Sequence, residues 1–221
     1  MPTEMSETAL VVRRLLDVAG TTYADEAGIQ LKNEPMPLFQ LLALCMLASK
    51  PIAADVATKA AHEVFEAGIR TPDAVLHADR QSLIEAFGRA GYARYDESSA
   101  TRLSDMATVV RNEYRGDLRN LAAECDADRA KAHSVLQRFT GIGNTGADIF
   151  LREVQDVWTW VKPYFDERAI TTAGELNLPR DAERLGELAP RTTARLAAAL
   201  VRVSMDQELR HRLSRPKDQK E

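Results

Sequence analysis

The 221-residue chain carries only two cysteines, Cys45 and Cys125, too few for a four-cysteine iron–sulfur cluster. Cys45 lies in the apolar run LLALCMLA and reads as a small core residue, while Cys125 falls in a polar connection. Long apolar runs are missing as well. The longest, Leu38 to Ala48, is interrupted by Gln40 and falls far short of the roughly 18 residues of a membrane span. The N-terminus, MPTEMSETALVVRRLL, has no basic region followed by an apolar core, so no secretory signal is expected. The cytoplasm is the default location, and it disfavours a structural disulfide.

An excess of positive charge is also lacking. The formal net charge is −4, whereas nucleic-acid-binding proteins usually display a basic face. Net charge says nothing of distribution, however. Arg111, Arg115 and Arg119 cluster in the middle of the chain, and the C-terminal RHRLSRPKDQK is basic with little apolar content. A solvated helix face and a disordered tail over 213–221 fit these segments too.

β-Branched alternation over a strand's length is scarce, and helix punctuation is frequent. Thr71-Pro72-Asp73 reads as an N-cap with proline at the first helical position. Asp79 and Gly88 bracket RQSLIEAFG, Gly116 ends ATRLSDMATVVRNEY, and Asp181 opens DAERLGELA. Pro190 precedes a helix striped by Leu196, Leu200 and Val203. The expectation is an all-α protein of about ten helices joined by short connections.

The most informative segment is Leu136 to Leu151, LQRFTGIGNTGADIFL. Leu136 and Phe139 share one helical face, Gly141 and Gly143 supply a tight turn, and Ile142 can point back into the junction. Asn144 suits the N-cap of a second helix carrying Ala147, Phe150 and Leu151. A helix N-terminus behind a glycine turn presents unpaired N–H groups that attract a phosphate oxygen whatever base lies beside it. The glycines alone also fit a close-packed turn between helices.

The full spacing, apolar-x-x-apolar-x-Gly-apolar-Gly-x-x-x-Ala-x-x-apolar-apolar, resembles the helix-hairpin-helix of DNA repair proteins. In particular it resembles that of the helix-hairpin-helix glycosylase superfamily, the endonuclease III-like and alkylbase enzymes. Their hairpin reads approximately Leu-Pro-Gly-Val-Gly-Arg-Lys-Thr-Ala, and here Phe139-Thr140-Gly141-Ile142-Gly143-Asn144-Thr145-Gly146-Ala147 stands in that register. The resemblance continues in order over roughly residues 37 to 170, through Phe39-Gln40-Leu41-Leu42, Thr71-Pro72-Asp73-Ala74 and Gly88-Arg89-Ala90-Gly91-Tyr92. It implies two helical domains flanking a DNA-binding cleft. The first is a six-helix domain over 37–154 with the hairpin at 136–151; residues 1–36 with 155–212 form the second.

The resemblance also assigns roles. DNA-binding residues would be Thr140, Gly141, Ile142, Gly143, Asn144, Thr145 and Gly146, with Lys50 near a gap-filling loop and Tyr92 near a second intercalating loop. A catalytic aspartate is expected about twenty residues beyond the hairpin. Asp166 lies 21 residues after Thr145 and also suits the N-cap of a helix at 167–175; Asp156, 11 residues after Thr145, is the alternate. Trp160, Tyr164 and Phe165, beside Trp158, would line a base pocket by stacking, though core packing accounts for aromatics equally.

Bifunctional members use a hairpin lysine as an amine nucleophile, and that position is Thr145 here, whose hydroxyl cannot form an imine. The implied activity is a monofunctional glycosylase of base excision repair, acting as a monomer on lesion-bearing double-stranded DNA, with Lys162 the one amine that would change this. Such a protein would be cytoplasmic, or nucleoid-associated in a bacterium. No metal site or iron–sulfur cluster is expected, and the resemblance allows a monovalent cation at the hairpin backbone. A catalytically inactive protein that binds damaged or distorted DNA, and a helical protein–protein module, are the competing classes.

Overall fold

The computed structural model describes residues 7–214, and all regular structure among them is helical. The helices are α1 (Glu7–Ala19), α2 (Tyr23–Glu26), α3 (Pro35–Ala48), α4 (Ala54–Glu66), α5 (Pro72–His77), α6 (Arg80–Arg89) and α7 (Asp96–Tyr114). They continue with α8 (Leu118–Cys125), α9 (Arg129–Leu136), α10 (Asn144–Val154), α11 (Glu167–Glu175), α12 (Ala182–Leu188), α13 (Thr193–Met205) and α14 (Gln207–Ser214). Among the described residues no helix is long and apolar enough to cross a membrane. The tail expected from residue 213 begins inside α14, where Leu213 is buried; residues 215–221 lie outside the described residues.

Local chemistry accounts for most helix ends. Thr71 Oγ1 accepts from the Ala74 amide at 3.1 Å, with Pro72 opening α5 where its missing N–H costs nothing. α7 stops at two consecutive left-handed residues, Arg115 (φ 56°) and Gly116 (φ 77°), and the Gly116 amide donates back to Val110 O at 2.9 Å. Gly88, expected to end α6, is instead passed by the helix, and the left-handed residue beyond it is Gly91 (φ 76°).

The chain divides into two compact units, one over Tyr23–Leu151 and the other of the residues up to Thr22 with those from Arg152 onward. The first boundary therefore falls at 22/23, not at 36/37. α2 packs on α3 and α4, and Ala27 O lies 3.4 Å from His62 Nδ1, so the segment after Thr22 already belongs to the larger unit. The second boundary falls inside α10, before residue 154.

In the larger unit α3 is the central rod. Every residue from Pro37 to Leu47 is buried, as a helix apolar on all sides requires, and α4, α7 and α8 pack around it. α5 and α6 close over α7. In the other unit α13 takes the central place between α1 and α11. Leu196 and Leu200 are fully buried among Leu15, Ala169 and Ala173, and truncating either leucine to alanine should cost about 2–5 kcal/mol. Ala197 and Ala199 keep this helix slim enough for close approach. Arg195 and Arg202 then donate to Gly20 O (2.9 Å) and Thr21 O (3.0 Å), satisfying carbonyls just beyond the end of α1.

Candidate functional site

Helices α9 and α10 are joined by a turn over residues 137–143. The Phe139 amide donates to Leu136 O at 3.2 Å and the Ile142 amide to Phe139 O at 2.9 Å, which turns both apolar side chains inward. Phe139 packs on Tyr114, ring centroids 6.0 Å apart. Gly141 has φ 96°, and a Cβ there would stand 3.0 Å from Arg102 Cδ and 3.1 Å from Met46 Cγ. Conformation and crowding thus both demand glycine. Gly143 differs: its φ is ordinary, it is exposed, and a Cβ would meet nothing within 4 Å.

α10 begins on the Gly143 carbonyl, which accepts from the Ala147 amide at 3.0 Å. Among the described residues the amides of Asn144, Thr145 and Gly146 donate to no backbone carbonyl, as the first turn of a helix dictates. Thr140, Asn144 and Thr145 are exposed. Asn144 does not cap α10 as expected. It sits inside the first turn, with its Nδ2 donating to Asp148 Oδ2 at 3.2 Å. Gly146 is buried, and a Cβ on it would lie 2.4 Å from Ser49 Oγ, so its lack of a side chain serves the packing of α10 on the end of α3.

A clasp across the turn joins residues too far apart in sequence to be legible there. Gln137 Nε2 lies 3.0 Å from His133 Nδ1, and His133 Nε2 lies 3.1 Å from Asp148 Oδ1. With Nδ1 accepting from Gln137, the ring proton sits on Nε2 and points to the carboxylate. The chain Gln137–His133–Asp148–Asn144 therefore ties α9 to α10 beside the exposed turn. His133 and Asp148 are 15 residues apart on different helices, a spacing with no sequence signature.

Lys50 follows Ser49 at the end of α3, with its Nζ 5.6 Å from the centroid of the Tyr95 ring. Tyr92 corrects an expectation: it is 0% exposed and donates from its hydroxyl to Leu47 O at 2.9 Å, so it has no surface to offer DNA. Burial pushes its phenol above the ordinary tyrosine value. The three arginines fall on different local structures. Arg111 is on α7, Arg115 is in the following turn, and Arg119 on α8 is ion-paired with Asp117. That contact holds the Asp117 carboxyl below its usual range.

The candidate carboxylates lie in the other unit. Asp166 is the N-cap of α11: Oδ1 accepts from the Ala169 amide at 2.9 Å, and Oδ2 accepts from Arg152 Nη1 at 2.6 Å. The two side chains are 3% and 9% exposed, so the aspartate is held as a buried, doubly engaged carboxylate. Gln155, also buried, donates to Tyr164 O (3.0 Å) and accepts from the Tyr164 amide (2.8 Å), which fixes the strand of chain leading into Asp166. Neither Arg152 nor Gln155 stands out in the sequence, because only folding brings the two segments together.

Asp156 lies beyond the end of α10, not on it. Its Oδ1 meets Lys162 Nζ at 2.8 Å and its Oδ2 accepts from the Ala194 amide at 3.1 Å, so it caps α13 from a distance. Lys162 Nζ donates in addition to Pro190 O at 2.5 Å. Trp160 is half-buried and stacked on Trp158, centroids 5.6 Å apart and planes 16° from parallel. Tyr164 is half-buried, whereas Phe165 belongs to the core with Ala169 and Leu200. Cys45 and Cys125 are free and buried, Cys125 as the last residue of α8 and not in a polar connection. Among the described residues no group of three or more histidine, cysteine or acidic side chains is placed to hold a metal ion.

No protein-family model matches the chain, and no curated protein is significantly similar to it.

Proposed function

We propose that the chain is a monofunctional DNA glycosylase of base excision repair that hydrolyses the N-glycosidic bond of a damaged or mismatched base. The observation that carries the reading is the start of α10: an exposed glycine turn, an open Gly143, and backbone amides at 144–146 without backbone acceptors. Amides so arranged suit a phosphate oxygen. A helix-hairpin-helix and a cleft between helical domains, as in the family that the hairpin resembles, are part of this reading. In the reaction the base would be flipped from the duplex, the bond from C1′ to the base nitrogen would break, and water would add at C1′. Asp166 is the carboxylate assigned to stabilise the developing positive charge on the sugar, with Asp156 as alternate.

The test is a panel of duplexes each carrying one lesion, alkylated purines first, incubated with the protein and scored for alkali-labile abasic sites. Abasic sites at a lesion support the reading, and their absence across the panel removes the activity. One observation favours a second reading, a catalytically inactive protein that binds distorted DNA. Both oxygens of Asp166 already have partners, and the side chain is 9% exposed. Lesion-preferring binding without abasic sites would select it.

A further inference from the structure

Several cations of the larger unit are neutralised by carboxylates: Arg70 by Glu66, Arg80 by Glu97, Arg89 by Glu63, Arg119 by Asp117 and Arg138 by Glu113. Lys50, Arg94 and Arg102, like Lys32, Lys59, Arg111 and Arg115, are ion-paired with no carboxylate among the described residues, but only the first three are linked to the glycine turn through Gly141, Ser49 and one shared ring. The Arg102 stem passes Gly141, its Cδ 3.0 Å from where a Cβ would stand. Ser49 fills the space at Gly146, and Lys50 is the next residue. Lys50 Nζ and Arg94 Cζ then lie 5.6 Å and 5.3 Å from the centroid of one ring, that of Tyr95.

We propose that Lys50, Arg94 and Arg102 form a cationic flank that extends the 140–145 turn and binds successive phosphodiesters of a DNA backbone. The inference rests on the DNA-binding reading above and adds the residues that would guide the strand past the hairpin. In a chain of net charge −4, like charges held together without counter-carboxylates repel one another, and a polyanion relieves that repulsion. Tyr95 supplies the scaffold. Its ring is half-buried against Tyr92, 6.1 Å between centroids, and attracts both cations through its π face. So anchored, it organises charge and does not insert between bases. Contacts of this kind position the protein on DNA without reading sequence.

The experiment is the salt dependence of binding to an undamaged, fluorescently labelled duplex between 50 and 200 mM salt. Lys50→Gln, Arg94→Gln and Arg102→Gln are compared with wild type and with a control, Arg70→Gln, whose cation is already paired. Arg102→Met keeps the stem against Gly141 should Arg102→Gln disturb the turn. Each flank variant should lower the slope of log affinity against log salt by about 0.9, and the control should leave it unchanged. If Gly143→Asp weakens binding but a triple flank variant keeps the wild-type slope, the hairpin binds DNA and the flank is refuted. If wild type binds no duplex in a salt-sensitive way, the DNA-binding reading itself falls.

Discussion

Arg152 and Asp166, 14 residues apart in sequence, meet at 2.6 Å in surroundings that leave the two side chains 3% and 9% exposed. A buried pair of this kind contributes little net stability while intact, yet removing one partner strands a charge. Asp166→Asn keeps the cap to the Ala169 amide but takes a carboxylate charge away from the Arg152 guanidinium, at a cost of about 3–5 kcal/mol by denaturant unfolding. Replacing both partners, as Arg152→Met with Asp166→Asn, should recover most of that loss. This separates folding from chemistry. If Asp166 is catalytic, the folded double variant remains slower at abasic-site formation by on the order of 10²–10³, and full activity in it would move the role to Asp156.

Gly143 in the turn and Gly146 in α10 should respond in different ways. Gly143→Asp meets open space at an ordinary φ, so stability should change by no more than about 0.5 kcal/mol. Affinity for duplex DNA should nevertheless fall for every sequence alike, because a carboxylate would stand beside the α10 amides. Gly146→Ala puts a methyl 2.4 Å from Ser49 Oγ, which can swing away only by giving up its 2.6 Å hydrogen bond to Cys45 O. A loss of about 1–3 kcal/mol is expected, and Ser49→Gly, which empties that space, should restore most of it. Melting curves and duplex titrations on the two variants check both halves.

Borohydride should trap no protein–DNA adduct. The hairpin offers Thr145 where an amine would be needed, and Lys162 is engaged by Asp156 Oδ1 at 2.8 Å and by Pro190 O. Lys162→Ala should leave abasic-site formation intact and cost at most about 1 kcal/mol, since both partners of the ion pair are partly solvated. A trapped species that disappears in Lys162→Ala would instead identify this lysine as a nucleophile.

What the sequence made legible is what is decided within a few residues. Asp166 as the N-cap of α11, Thr71-Pro72 at α5 and Asp181 at α12 all depend on one side chain reaching an amide three residues on. Gly141 in a left-handed turn is likewise a local steric matter. Asn144 has the right chemistry for a cap, but α10 already begins on the Gly143 carbonyl, and Asn144 Nδ2 donates to Asp148 of the same helix. The other differences arise where the partner comes from another helix. Tyr92 stands beside a glycine turn as a loop aromatic would, yet Leu47 O lies 45 residues away in sequence and draws it inward. Asp156 shows no cap signal in the sequence, because the α13 amide it accepts from, Ala194, lies 38 residues away. Gly146 reads as part of the hairpin, and only Ser49 reveals its packing role.

Tyr92 also fixes how stability should change with pH. Its buried hydroxyl must keep its proton to donate to Leu47 O, and burial raises the phenol above the ordinary value of about 10. For a group whose pKa is higher in the folded state, the associated stability is fully present below the unfolded value. It is lost as pH climbs through the folded value. Cys125, raised by burial in the same way, starts its loss lower, from the ordinary thiol value of about 8.5, and Tyr114 adds to the phenolic step. Urea unfolding should therefore show a level region near neutrality, a first decline above about pH 8.5 and a steeper one above about pH 10. Tyr92→Phe should be less stable at pH 7 by about 0.5–1.5 kcal/mol, since Leu47 O loses its donor. Its alkaline decline should be shallower, so the two curves converge as pH rises. Parallel curves from pH 8 to 11 would mean that the Tyr92 phenol ionises alike in the folded and unfolded chain, contrary to its burial.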